Sequence, residues 1–125
     1  MSLFEMHVCE PWFSFIESGR KKVEGRKRSE KWKNIKVGDT IKMFCGEPSH
    51  RFFYVQVKNI RLYPDLKSYL ICEGLENTLP GVNLLEEGEK VYLQYSTLEE
   101  IKKYGIMAIE LKIIITLKNI IKSDI

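Results

Sequence analysis

Between Arg51 and Tyr63 the chain reads RFFYVQVKNIRLY, dense in aromatic and β-branched side chains. It is the strongest strand signal in the sequence, so the fold must contain a sheet with this segment in it. Just upstream, KVGDTIKMF turns at Gly38-Asp39 and enters a strand bearing Ile41 and Met43. The turn-rich CGEPSH joins the two as a hairpin with a longer loop. Near the end of the sequence stands IMAIELKIIITLKNII, a long β-rich segment with Ile109, Leu111, Ile113 and Ile115 on one face.

Helical signals separate these strands. After LFEMHVC, which alternates as a strand, EPWFSFIESG reads as a helix of about two turns. Pro11 is its first helical residue, Trp12, Phe15 and Ile16 share its apolar face, and Gly19 suits the left-handed residue that ends it. KKVEGRK then resumes an extended pattern. PDLKSYLICEG reads as a helix opening at Pro64 and closing near Gly74, followed by a loop through NTLPGVN. Leu84 to Tyr104 is broadly helical, and the capping-box spacing of Thr97 and Glu100 starts a fresh helix that stops at Gly105. The sum is one α+β domain over residues 1–125, a small β-barrel with flanking helices.

Length and a hydrophobic content of 44% fit one core. No stretch approaches the roughly 18 apolar residues of a membrane helix, so no membrane partner is expected. MSLFEMHVCEPWF lacks a basic start followed by an apolar run, which predicts a cytoplasmic or nuclear, non-secreted protein. Cys9, Cys45 and Cys72 are odd in number, without a CxxC pair, and His7 and His50 are the only histidines. Reduced structural thiols are therefore expected, with no metal and no cofactor. His7 and Cys9 share a strand face but have no third group to orient them, which discounts a thiol hydrolase. There is no glycine-rich phosphate loop.

Charge is unevenly placed. Nine Lys/Arg fall between Arg20 and Lys36 against Glu24 and Glu30, a net +7, while the rest of the chain carries −4. Such a concentration suits a surface for phosphates, or is simply a solvated loop. Within it, GRKKVEGRK surrounds Glu24 with five cations. In a strand Glu24 and Arg26 share a face. Lys21 is out of phase, and joins them only if the chain is still turning out of Gly19. Two readings stay open, a surface salt-bridge ladder and a cleft that holds a polar ligand. Lys21 is then either a phosphate-binding cation or a catalytic amine, according to whether burial or Glu24 dominates its proton affinity.

Gly19, Lys21, Glu24 and Arg26 together spell GxKxxExR, and here the chain resembles the ASCH family, the activating-signal-cointegrator homology domains of the PUA-like superfamily. EPWFSFIESGRKKVEGR, IKVGDTIKMF, RLYPDLKSYLICEGLENTLPG and VYLQYSTLEEIKKYGIMAIEL resemble successive parts of that family. The likeness spans about residues 6–111, leaving 112–125 as a C-terminal extension. It implies a PUA-like β-barrel with a cleft beside the signature, and binding of RNA or other nucleic acid. Some members are small hydrolases, one branch acting on 4-acetylcytidine and another member on RNA. In the deacetylating branch a lysine matching Lys21 is the reactive group, assisted by a threonine three residues later and a distant glutamate. Here Glu24 stands in place of that threonine. Glu73, Glu76, Glu99 and Glu110 all remain candidates for the distant carboxylate.

The expected function is that of an ASCH domain binding RNA, single-stranded nucleic acid or a nucleotide or nucleoside. Lys21, Glu24 and Arg26 would line the cleft with Tyr63, Tyr92 and Tyr95 as stacking or rim residues. Trp12 can stack too, but it and Phe15 are better read as helix packing. Arg20, Lys22, Lys27, Arg28, Lys31 and Lys33 form a basic run along the nucleic-acid backbone. The first alternative is a nucleoside amidohydrolase or ribonuclease using Lys21 with Glu24, and the second is a protein-interaction domain. Oligomeric state is left open.

Overall fold

The computed structural model describes residues 2–114, and the expectation for Ile115 lies outside them. In chain order the elements are β1 (Leu3–His7), α1 (Trp12–Glu17), β2 (Val23–Lys27), β3 (Thr40–Phe44), β4 (Phe52–Tyr63), α2 (Leu66–Glu73), α3 (Leu75–Thr78), α4 (Leu85–Leu93), α5 (Leu98–Tyr104) and β5 (Ile106–Ile113). The strands form one curled half-barrel sheet of order β1-β3-β4-β5-β2. β1 runs parallel to β3 and the other pairs are antiparallel. The α+β class is as the sequence predicts.

The aromatic stretch from Phe52 to Tyr63 is the twelve-residue spine of this sheet. Its first part pairs with β3, closing the expected hairpin at Phe44↔Phe52, and Val55 to Tyr63 pairs with β5. The register shifts between Val57 and Asn59, a bulge that lets so long a strand bend with the curled sheet.

Alternation along β5 divides the apolar residues between two cores. Met107, Ile109, Leu111 and Ile113 join the inner one, with Met6, Ile41, Met43, Val55, Phe13, Ile16 and Trp32. Ile106 and Ala108 face the outer one, with Val23, Leu66, Tyr69, Leu70 and Ile101. Among the described residues no helix is long and apolar enough to cross a membrane.

Local details depart from the sequence reading. In α1 the buried residues are Phe13 and Ile16, whereas Trp12 and Phe15 are only half-buried, because the helix lies with its Phe13 edge on the inner core against Phe53. The α2 helix opens one residue after Asp65 rather than at Pro64, since the Asp65 carboxylate accepts the Ser68 amide and caps it. The NTLPGVN stretch is not wholly loop: Asn77 and Thr78 complete the single turn of α3. The capping box at Thr97 and Glu100 is present, and α5 stops at Gly105 as read.

Gly25 shows how closely the outer layer presses on β2. A Cβ built there would lie 2.5 Å from Cζ of Tyr69. Gly25→Ala is therefore expected to lower stability by about 1–3 kcal/mol through overpacking, measured as a reduced urea midpoint at unchanged m-value.

Candidate functional site

The sheet order leaves β1 and β2 as its two edges. One side chain crosses the seam between them: Arg26 Nη2 donates to the His7 carbonyl at the end of β1, 2.7 Å away. Register sets its face. Glu24 pairs with Ile109 and Arg26 with Met107, so both share the sheet face of the inner core. Gly25 and Val23 face the other way, toward the helices.

Lys21 reaches the same place because the chain is still turning. Gly19 has φ +84°, and the Lys21 amide bonds back to the Phe15 carbonyl before β2 begins. The geometric condition set by the sequence is thus met. Lys21 Nζ lies 3.3 Å from Glu24 Oε1, and Arg26 Nη2 lies 3.0 Å from Glu24 Oε2. Lys21 and Glu24 are only 2% and 7% exposed, which rules out a solvated ladder.

The partners of Lys21 complete its coordination. Nζ donates to the Val23 carbonyl at 2.7 Å and to the Thr78 carbonyl of α3, besides meeting Glu24. An ammonium has three protons and no lone pair, and here it has three partners, two carbonyls that accept hydrogen bonds and a carboxylate in an ion pair. Burial pushes the Lys21 pKa below the ordinary lysine value, against the opposing pull of Glu24. For Glu24, burial alone would raise the pKa, but Lys21 and Arg26 together outweigh it and hold the carboxyl below its usual range.

These groups floor a recess of about 340 Å³. Its walls come from Trp12 of α1, His7 and Cys9 at the end of β1, Trp32 and Ser29 after β2, and Tyr92, Tyr95 and Ser96 around the end of α4. Glu24 is the only carboxylate among them. Tyr92 bonds the Tyr69 hydroxyl at 2.7 Å, and burial raises its pKa. Tyr95 lies beyond the helix, exposed on the rim, its pKa raised first by a hydrogen bond with Cys9 and then by desolvation. Tyr63 is not in these walls; its hydroxyl donates to Glu73 on α2.

The basic run does not form one surface. Lys27 lines the recess but pairs with Glu100 at 2.8 Å, and Lys33 pairs with Glu30. Arg28 and Lys31 are exposed on the same segment, with Lys31 Nζ 4.9 Å above the Trp32 ring. Arg20 and Lys22 line a second, more open hollow with Asn77, Pro80 and Asn83. Of the distant glutamates, Glu73 and Glu110 bind Arg61, Glu76 lines the second hollow, and Glu99 lies exposed in the first turn of α5. None lines the recess. Among the described residues no three metal-ligating side chains converge.

Sequence reasoning missed several contributors. Trp32 carries a signal, an aromatic isolated in the charged SEKWKN, whereas Ser29 and Ser96 carry none. The Val23 and Thr78 carbonyls that fix Lys21 are main-chain atoms, without any residue-type signature.

Comparison with known proteins agrees with this architecture. The ASCH domain family model matches residues 6–115. The crystal structure of the hypothetical protein PH0355 is 42% identical, with a TM-score of 0.80 over 91% of this chain and 100% of that one. The solution structure of protein PF0455 from Pyrococcus furiosus is 39% identical, with a TM-score of 0.74 over 93% of this chain and 100% of that one. An ASCH protein from Zymomonas mobilis shares the fold at 16% identity, with a TM-score of 0.60 over 94% of this chain and 76% of its own. No curated protein matches. With the signature residues gathered at the open seam and nearly the whole chain accounted for, this protein belongs to the ASCH domain family.

Proposed function

We propose that this protein is a binding module for an unpaired nucleobase, taken from RNA or single-stranded nucleic acid or as a free nucleotide or nucleoside. The observation that carries the reading is Glu24, an ionised carboxylate more than nine-tenths buried on the floor of a recess. Its volume of about 340 Å³ lies at the low end of small-molecule sites, roughly 300–1,000 Å³. A carboxylate accepts N–H groups, which base edges supply and phosphates do not. Trp12, Tyr92 and Tyr95 give the walls aromatic surface for the base. Arg28 and Lys31, exposed on the segment whose Lys27, Ser29 and Trp32 line the recess, supply phosphate contacts.

One observation favours a second reading, a hydrolase acting on a modified pyrimidine nucleoside or on RNA: burial lowers the proton affinity of Lys21. Against it, a lone pair on Nζ requires giving up one of two hydrogen bonds to main-chain carbonyls or the ion pair with Glu24. Turnover of 4-acetylcytidine or labelled RNA, lost in Lys21→Ala, favours the hydrolase. Absence of any nucleotide binding at low salt favours a protein-interaction domain.

Short single-stranded RNAs are expected to bind with a shallow salt dependence. Two phosphate contacts give a slope of log affinity against log salt of about −1.4. Arg26→Ala, which opens the seam and removes a partner of Glu24, is expected to weaken binding by about tenfold or more. Fluorescence anisotropy across a salt series measures both.

Lys21→Ala leaves Glu24 buried beside Arg26 alone and orphans two carbonyls, and is expected to cost about 3–5 kcal/mol in denaturant unfolding. Lys21→Met combined with Glu24→Leu removes both charges and is expected to recover the part of that loss due to the unpaired Glu24 charge, though not the part due to the two carbonyls, while abolishing binding.

Glu24 also sets an acid limb. Its folded pKa lies below the ordinary 4.5, so its stabilising contribution is complete above that value and is lost as pH falls through the lower folded value. Nucleotide binding is expected to hold steady from neutral pH down past the ordinary carboxylate value of 4.5 and to fall only as pH drops through the lower folded value, with Glu24→Gln removing that acid limb, as read by binding titrations.

A further inference from the structure

The atoms on the recess floor narrow the choice of base. Glu24 meets Arg26 through Oε2 and Lys21 through Oε1. The polar groups therefore run in a set order: Arg26 guanidinium, Oε2, Oε1, Lys21. Lys21 is buried with its ammonium turned to two carbonyls and Glu24, so it is not among the donors open to a ligand. Arg26 does, because its bonds to His7 and Glu24 both leave from Nη2, and a guanidinium carries further N–H donors on Nη1 and Nε. Each Glu24 oxygen holds a single partner and keeps a lone pair. Read along the floor, the order is donor, acceptor, acceptor.

We propose that the recess selects guanine, read on its Watson–Crick edge, whose O6, N1–H and N2–H₂ present acceptor, donor, donor in register with Arg26, Oε2 and Oε1. The inference rests on the base-binding function proposed above and specifies its ligand. Every other base loses at least one contact. Uracil gives Arg26 a carbonyl and Oε2 its N3–H, but sets its second carbonyl against Oε1. Cytosine, turned to hand its amine to Oε1, brings N3 against Oε2. Adenine meets Arg26 with N1 and Oε2 with its amine, and leaves Oε1 unmet. Hypoxanthine matches guanine except for the missing 2-amine. A ligand acceptor set against a buried carboxylate oxygen leaves two acceptors face to face with no proton between them, which a buried site penalises. Since this edge is occupied in a duplex, the guanine must be unpaired.

Titration of tryptophan fluorescence, with Trp12 and Trp32 in the recess wall, tests the proposal. The probes are GMP, IMP, AMP, UMP and CMP at low salt, then the oligoribonucleotides UUGUU, UUAUU and UUUUU. GMP is expected to bind about tenfold or more tighter than IMP and AMP, and tighter still than UMP and CMP. UUGUU is expected to outbind the other two strands. Glu24→Gln, with its fold checked by thermal melting, is expected to bring GMP down to the level of IMP. The comparison of GMP with IMP on the wild-type protein stands without any variant. Nucleotide binding in which GMP has no advantage over IMP overturns the guanine assignment and leaves the base-binding function intact. Binding of none of the nucleotides or strands overturns both.

Discussion

The Lys21 ammonium ties together parts of the chain that are far apart in sequence. It donates to the Val23 carbonyl at the start of β2 and to the Thr78 carbonyl 57 residues away on α3, and it forms an ion pair with the Glu24 carboxylate. Desolvating an ammonium and a carboxylate costs several kcal/mol per ion, and apolar residues of similar volume avoid that cost. Stability alone thus gives little reason for the pair. What the pair provides is a carboxylate fixed in position and kept charged where water is scarce. A lone Glu24 in this position would protonate, and a protonated carboxyl offers a different pattern of donors and acceptors.

That carboxylate is useful because the sheet does not close. A five-stranded curl leaves two edges, and exposed edges invite unwanted pairing unless they are covered or blunted. Here the seam between β1 and β2 is spanned by the Arg26 side chain rather than by a further strand. Strand alternation then sends Glu24 and Arg26 to the seam while Gly25 turns to the helices, where Tyr69 lies so close that no side chain fits. The Tyr69 hydroxyl in turn holds Tyr92 in the recess wall. One glycine between two charged residues therefore lets the outer helices and the site share a single strand.

What could be read from the residues alone was local. The long β4, the Thr97–Glu100 capping box and the turn at Gly38 follow from contacts within a few residues, and each is in place. The meeting of Glu24 and Arg26 follows from strand periodicity, and that of Lys21 with them from a glycine placed to turn the chain. The rest depends on tertiary packing. Which edge of α1 is buried is decided by Phe53, a residue 40 positions beyond Phe13. The carbonyl of Thr78 has no mark in the sequence because every residue type carries one. Tyr63 had the position of a rim residue, but Glu73, ten residues on at the far end of α2, takes its hydroxyl.

The charge run shows why a count of cations overstates what a ligand meets. Of its members, Lys21 is spent inside the protein, Arg26 is shared between Glu24 and His7, and Lys27 and Lys33 pair with Glu100 and Glu30. Arg20 and Lys22 border another hollow. Among the described residues, Arg28, Lys31 and Lys36 are the other exposed members of the run left without an ion pair, and Arg28 and Lys31 flank the recess-lining Lys27, Ser29 and Trp32. Steering by the whole net +7 would make affinity collapse with salt, as it does for proteins that track a phosphate backbone. With so few cations near the mouth, the base-binding function proposed here draws the larger share of its binding energy from the recess itself, whose aromatic walls would take the face of a base while Glu24 with Arg26 would take its edge. A site of this kind trades reach along a strand for discrimination at one position.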